Sequence, residues 1–287
     1  MSNLAARVMV ALVVVPGLLA LLILGPDWGW WALASIACLV ALYEFARMTQ
    51  DTFSARMTSI ILGLSYFTGS FLLMLEYVHG NGHMEHQPVY FVPVLLWLGI
   101  FAPILAMLFH LFSTPDPKEA MDQSGYMLLG AVYCGVLFAC LAVIRDIGGT
   151  GVGWRWILVL LGLNWLNDTG AYFSGRFLGK RKLFPRVSPK KTWEGAIGGL
   201  FMGVAWLLLS EVIYFPGLTI TDALILGLFG GIFGQVGDLV ESVFKRARGV
   251  KDSGTILPGH GGILDRMDAV LFTGPVVLIY AMWLHPL

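Results

Sequence analysis

Charge is what this chain has least of. Of its 287 residues, 18 are lysine or arginine and 18 aspartate or glutamate, 13% in all, against 57% apolar residues and a mean hydropathy of +0.77. Soluble domains carry about 25% charged residues, so a soluble architecture is excluded. The net charge is zero, so only the placement of charges can speak about partners. Cysteine is scarce too. Cys38, Cys134 and Cys140 all lie inside apolar runs, at a spacing that matches no metal motif and supports no disulfide framework. No internal repeat, low-complexity tract or polar stretch of domain length interrupts the chain.

Long apolar runs fill it instead. A helix rises about 1.5 Å per residue, so about 20 apolar residues cross the hydrocarbon core. Spans are expected near 6–25, 28–48, 57–78, 89–112, 125–144, 154–174, 195–215, 221–244 and 265–284. The expected fold is therefore an all-α polytopic integral membrane protein of about nine transmembrane helices. Only Arg7 precedes the first run and no small-x-small site follows it, so it reads as a retained span rather than a signal peptide. The turn "GPDW" joins the first two spans as a hairpin. Pro16, Pro93 and Pro103 fall inside spans, where membrane helices tolerate the kinks they cause.

With the N-terminus cytoplasmic, 16 of the 18 basic residues fall on the cytoplasmic side; Arg145 and Arg155 fall opposite. That asymmetry fits the positive-inside rule. It puts the loops 175–194 and 245–264 on the same, cytoplasmic, face. Residues 1–150 carry few charges and read as lipid-facing scaffold helices. Residues 151–287 hold the groups capable of chemistry.

Asp238, Glu241, Ser242 and Lys245 recur at i, i+3, i+4 and i+7, on one face of a helix. An ionised carboxylate at the bilayer centre costs about 2.5–3.5 kcal/mol even on the milder scale. Such a face needs a cation, a basic side chain or water; the plain alternative is a salt bridge to Lys245 or Arg246. Downstream, glycines 259, 261 and 262 flank His260 and can free backbone N–H groups for an anion. Asp265 and Asp268 then share one face of the last span, with N-capping as the plain role for Asp265. Carboxylates from two helices suit Mg²⁺, a hard cation. Asn164, Asn167, Asp168 and Tyr172 cluster in the sixth span, either about a polar cavity or bonded among themselves. Seven basic residues follow within 176–191, a topology signal or a phosphate-binding surface; "TWEG" reads as a helix start. In the span 221–244, Gly227/Gly231 and Gly230/Gly234 form small-xxx-small pairs, and Gly195, Gly199 and Gly203 do so in the span before it. All are read as packing faces. His79, His83 and His86 in "HGNGHMEH" read as an ordinary external loop.

The stretch "SVFKRARGVKDSGTILPGHGGILDRMD", 242–268, resembles the signature of the phosphatidate cytidylyltransferase (CDP-diacylglycerol synthase) family. "NDTGAY" and "SPKKTWEGAIGG" are similar to that family as well. The resemblance covers 160–270. It implies the conversion of CTP and phosphatidic acid to CDP-diacylglycerol and pyrophosphate, with Mg²⁺; a second cation is left open. It also implies that Asp238 and Asp265 hold the metal, with Asp268 close by, and that Lys245 and Lys251 serve the chemistry. Substrates would be held by Asn167, Asp168, Ser188, Lys190, Lys191, Thr192, Glu241, Arg246, His260, Gly261, Gly262 and Arg266. The expected partners are CTP, phosphatidic acid and membrane lipids, with a homodimer allowed and no nucleic acid. The expected place is a bacterial-type inner membrane, with the site facing the cytoplasm. Two rivals stay open: a CTP-dependent lipid-alcohol kinase and a cation-coupled transporter.

Overall fold

The computed structural model describes residues 3–79, 94, 96–148, 152–256 and 261–284, with backbone only at 3–11, 77, 79 and 284. Pro93, His83, His86 and His260 lie outside the described residues. The chain forms two compact units, Met1–Asp146 with Asp252–Leu264, and Ile147–Lys251 with Asp265–Leu287.

In the first unit, α1 (Asn3–Leu24) turns through Pro26 into α2 (Asp27–Thr49), and α3 (Phe53–His79) follows. A π-helical turn, Trp97–Phe101, leads into α4 (Ala102–Ser113). Pro103 has no N–H to close a bond onto the Leu98 carbonyl five residues earlier. The Tyr66 hydroxyl donates to that carbonyl instead. Then come α5 (Pro117–Gly130), a second π stretch, Ala131–Val136, and α6 (Leu137–Ile144). Asp116 caps α5 by accepting from the Lys118 N–H, with Pro117 in the first turn, the usual chemistry of a helix start.

Side chains tie both ends of this unit. At one end Arg145 pairs with Asp27 at 3.1 Å and Trp31 donates to Asp146 at 2.8 Å. At the other, Gln50 donates to the Gln123 carbonyl at 3.0 Å, and Gln123 donates to Asp51 at 2.9 Å. The core between them includes Trp30, Cys38, Phe45, Phe138 and Ile144. Cys38, Cys134 and Cys140 are buried free thiols, as their apolar surroundings imply.

The second unit holds α7 (Gly153–Leu178), strands β1 (Lys182–Phe184) and β2 (Ser188–Thr192), α8 (Trp193–Ile213), α9 (Ile220–Ala247) and α10 (Leu264–Ile279), which ends in a π turn, Tyr280–Leu284. The antiparallel hairpin, with Lys182 opposite Thr192 and Phe184 opposite Ser188, departs from an otherwise helical chain. Pro189 keeps this basic stretch out of a helix. Thr192 then caps α8 by accepting from the Gly195 N–H at 3.1 Å, so "TWEG" does start a helix.

Glycine rows decide how these helices meet. A Cβ on Gly195 would lie 2.8 Å from the Ala171 carbonyl of α7, and one on Gly203 would lie 2.7 Å from Leu163. The two rows on α9 face different neighbours. Gly227 and Gly231 abut Val204 and Leu200 of α8, while Gly230 and Gly234 abut Leu163 and Asn164 of α7 and Thr273 of α10. Without side chains in the way, backbones approach closely enough for short polar side chains to bond across.

Among the described residues, six helical segments are long and apolar enough to cross a membrane: Asp27–Thr49, Phe53–Glu76, Pro117–Ile144, Trp193–Ile213, Ile220–Ala247 and Leu264–Trp283. Leu12–Leu24 and Trp97–Ser113 are apolar but shorter, and α7 carries the polar cluster. The protein is thus an all-α polytopic membrane protein. A side chain placed between α8 and α9 should be costly: Gly227→Leu is expected to lower stability by about 1–3 kcal/mol, read as a lower thermal unfolding midpoint in detergent.

Candidate functional site

A cavity of about 390 Å³ opens in the second unit between α7, the hairpin, α8 and α9. Each element contributes by its own periodicity. From α7 come Asp168, Tyr172 and Arg176, four residues apart and so stacked on one face. The end of β2 gives Lys190, Lys191 and Thr192, and α9 gives Gln235 and Asp238. Lys191 reaches across to Asp238 with its ammonium 2.6 Å from Oδ2, both side chains part-exposed. Arg176 donates to the Tyr172 hydroxyl at 2.9 Å. Glu194 accepts from the N–H groups of Lys180 and Arg181, at 3.0 and 3.2 Å, and so braces the base of the hairpin that carries the lysines.

The floor is a hydrogen-bond network. Asn167 donates to the Gly231 carbonyl at 3.2 Å, which turns its own oxygen toward Gln235. Gln235 donates to that oxygen and to the Ala196 carbonyl, both at 2.9 Å. Thr273 donates to Asn164 at 3.0 Å. Two asparagines among apolar helices are tolerable because their polar atoms find partners.

Further along α9, in its last turns, Lys245 lies between two carboxylates, 2.5 Å from Glu241 and 2.7 Å from Asp265 of α10. All three are buried. The sequence spacing allowed a Glu241–Lys245 bridge; the structure adds Asp265 from the neighbouring helix. The second Glu241 oxygen, Oε1, is buried with no hydrogen-bond partner among the described residues. Gly237 lets α10 come close, since a Cβ there would stand 2.5 Å from the Asp268 carbonyl. Asp268 lies within electrostatic reach of Asp238 and Asp168, and Arg266 within reach of Asp168.

The second unit thus gathers Asn167, Asp168, Lys190, Lys191, Thr192 and Asp238 at the cavity, with Arg266 and Asp268 in electrostatic reach, and sets Glu241, Lys245 and Asp265 together as a buried triad. Ser188 pairs with Phe184 at the hairpin turn. Arg246 is exposed and donates to the Val250 carbonyl, closing the end of its own helix. Lys251 is exposed at the end of this unit. Gly261 and Gly262 belong to the first unit. Gln235 and Glu194 carry weight that sequence reasoning did not assign. Gln235 was detectable as a polar residue in an apolar span, three positions before Asp238.

The profile of the Cytidylyltransferase family matches residues 5–284. A protein of Bacillus subtilis (strain 168) named phosphatidate cytidylyltransferase is 44% identical over 154 residues, 54% of this chain and 56% of that protein. Proteins of the same name from Staphylococcus aureus (strain COL) and Staphylococcus epidermidis (strain ATCC 12228) are 36% and 35% identical, each over 86% of this chain and 87% of their own.

The buried triad makes a stability claim of its own. Lys245→Met leaves two carboxylates facing each other without a cation, and is expected to cost about 3–5 kcal/mol. Thermal unfolding in detergent should show the loss, and Asp265→Asn, which leaves one pair intact, should lose less.

Proposed function

This chain belongs to the cytidylyltransferase family, and from that premise we propose that it joins CTP to phosphatidic acid, forming CDP-diacylglycerol and releasing pyrophosphate. The observation that carries the reading is the cavity wall in which Lys191, Lys190 and Arg176 stand against Asp168 and Asp238. Mixed charge of this kind, at the end of a helix bundle, suits a polyphosphate and a divalent cation together.

The lipid phosphate is already ionised and needs no strong base. Its oxygen attacks the α-phosphorus of CTP, the bond to the β-phosphate oxygen breaks, and the electron pair leaves with pyrophosphate. Little covalent work falls to the protein in such a transfer; placement and charge neutralisation dominate. Lys190, Lys191 and Arg176 would offset phosphate charge, with the hairpin held by Glu194. The network of Asn164, Asn167, Gln235 and Thr273 would keep α7, α9 and α10 in register beneath the substrates.

The donor chemistry fits Mg²⁺. No three of His, Cys, Asp and Glu among the described residues converge as a metal cluster, but Mg²⁺ is commonly held by one or two carboxylates, water and substrate phosphate. Asp238 and Asp265 would hold it, with Asp268 beside them. In the buried triad the carboxyl groups of Glu241 and Asp265 share the single ammonium of Lys245, which leaves the question of a further cation to the activity assay. When bound, the ion would neutralise charge on the nucleotide phosphates.

The protein would lie in a bacterial inner membrane with this cavity toward the cytoplasm, following the positive-inside distribution. Asn164 and Asn167 are committed to bonds within the bundle, which favours an enzyme over an ion path.

Purified protein in detergent, given labelled CTP, phosphatidic acid and Mg²⁺, is expected to form CDP-diacylglycerol. Lipid labelled only from the γ-phosphate would identify a kinase instead. Asp238→Asn and Asp265→Asn are expected to reduce the product to background while the protein stays folded; full activity in either would remove that residue from the metal site. Cysteines introduced at 120 and 185 should react only from the cytoplasmic side and one at 83 only from the other. Labelling of 83 and 185 from one side would overturn the orientation.

A further inference from the structure

Glu44 is a carboxylate well inside the apolar α2, far from Asp27 at its start, and it is only 2% exposed. An acid so placed needs partners, and among the described residues its hydrogen bonds come from one segment. Its oxygens accept from the Ser253 hydroxyl at 3.1 Å, the Ile263 N–H at 3.1 Å and the Leu264 N–H at 2.9 Å. Leu264 opens α10 and Ile263 immediately precedes it. The first N–H groups of a helix have no partner inside it, and usually a Ser, Thr, Asp or Asn just ahead supplies an oxygen. Here the residues ahead are Gly261, Gly262 and Ile263, with no side-chain oxygen among them. The cap comes from another helix, as a carboxyl group whose oxygens stand at the positive end of the helix dipole.

The glycines of the segment fit this clasp. A Cβ on Gly254 or on Gly262 would collide with the Glu44 carboxylate. Gly261 has φ +83°, a left-handed conformation that other residues adopt only with strain. Together they deliver the start of α10 onto Glu44.

We propose that Glu44 is a positioning residue for the transfer reaction. It caps α10 in trans and thereby sets how the first turn of that helix presents Asp265, Arg266 and Asp268. Asp265 follows Leu264 by one peptide bond, so a shift of the cap moves a carboxylate that pairs with Lys245. The inference rests on the activity proposed above, but the cap itself can be read without it.

The test uses the full chain in detergent. Glu44→Ala and Glu44→Gln are compared with the unaltered protein by steady-state kinetics and by hydrogen–deuterium exchange. A misplaced carboxylate is expected to lower kcat by about 100-fold, with KM for CTP and for phosphatidic acid changed less than about threefold. The Gln variant, keeping one acceptor, should fall less than the Ala variant. Exchange should rise at 252–256 and 261–268 and stay unchanged in α7 and α8. A kcat for Glu44→Ala within about twofold of the unaltered protein, or unchanged exchange at 261–268, would overturn the inference. If Glu44→Ala does not fold, Gly262→Ala, which sets a methyl against an intact Glu44, must reproduce both effects; its failure to do so would also overturn it. Absence of CDP-diacylglycerol synthesis by the unaltered protein would remove the proposed activity, while the exchange comparison would still decide the cap.

Discussion

Lys245 stands within 2.7 Å of two buried carboxylates that belong to different helices. In a low-dielectric interior, two acids so close would repel each other strongly, and each alone would be costly to bury. The ammonium turns that liability into a link between α9 and α10. The link requires the helices to be near, and Gly237 provides the nearness by leaving room for the Asp268 carbonyl. The same logic recurs at the cavity wall, where Asp238 takes its cation from Lys191 on the hairpin. Asp238 and Asp265 thus each fix where a partner element must lie.

The small-residue rows are the other half of that constraint. Polar side chains such as Asn164, Asn167 and Thr273 are short, and they bond across helices only where backbones almost touch. Gly199, Gly230, Gly231 and Gly234 clear that space. Packing and polarity therefore cannot be separated here: removing a glycine would part the asparagines from their partners, and removing Asn167 would take away the bonds that link α7 to Gly231 and Gln235 of α9.

The stretch from Ser242 to Asp268 reads as one continuous signature, yet it serves two compact bodies. Its middle, Asp252–Leu264, belongs with the first unit, where Glu44 receives it; its flanks belong with the second. The glycines that look like a single flexible run have separate tasks. Gly261 supplies a left-handed turn, and Gly262 and Gly254 leave room for a carboxylate.

The sequence alone determined much of the helical pattern, because length and apolarity are local, although of the nine spans expected only six segments among the described residues are long and apolar enough to cross a membrane. The span expected at 28–48 is α2, Asp27–Thr49, and the one expected at 154–174 lies within α7, Gly153–Leu178. It also determined which acids share a helical face, since that follows from 3.6 residues per turn. What it could not hold was the identity of the partner on the facing element. Nothing in the spacing of Asp238 names Lys191, nothing near Asp265 in the chain names Lys245 as its cation, and Glu44, legible only as a stray acid in an apolar run, gave no sign of a helix start more than two hundred residues away. The hairpin likewise depends on pairing across a turn. Only the tertiary structure decided these, because charge neutralisation and hydrogen bonding in a dry interior depend on distance through space, and a periodic sequence fixes a direction but not a neighbour.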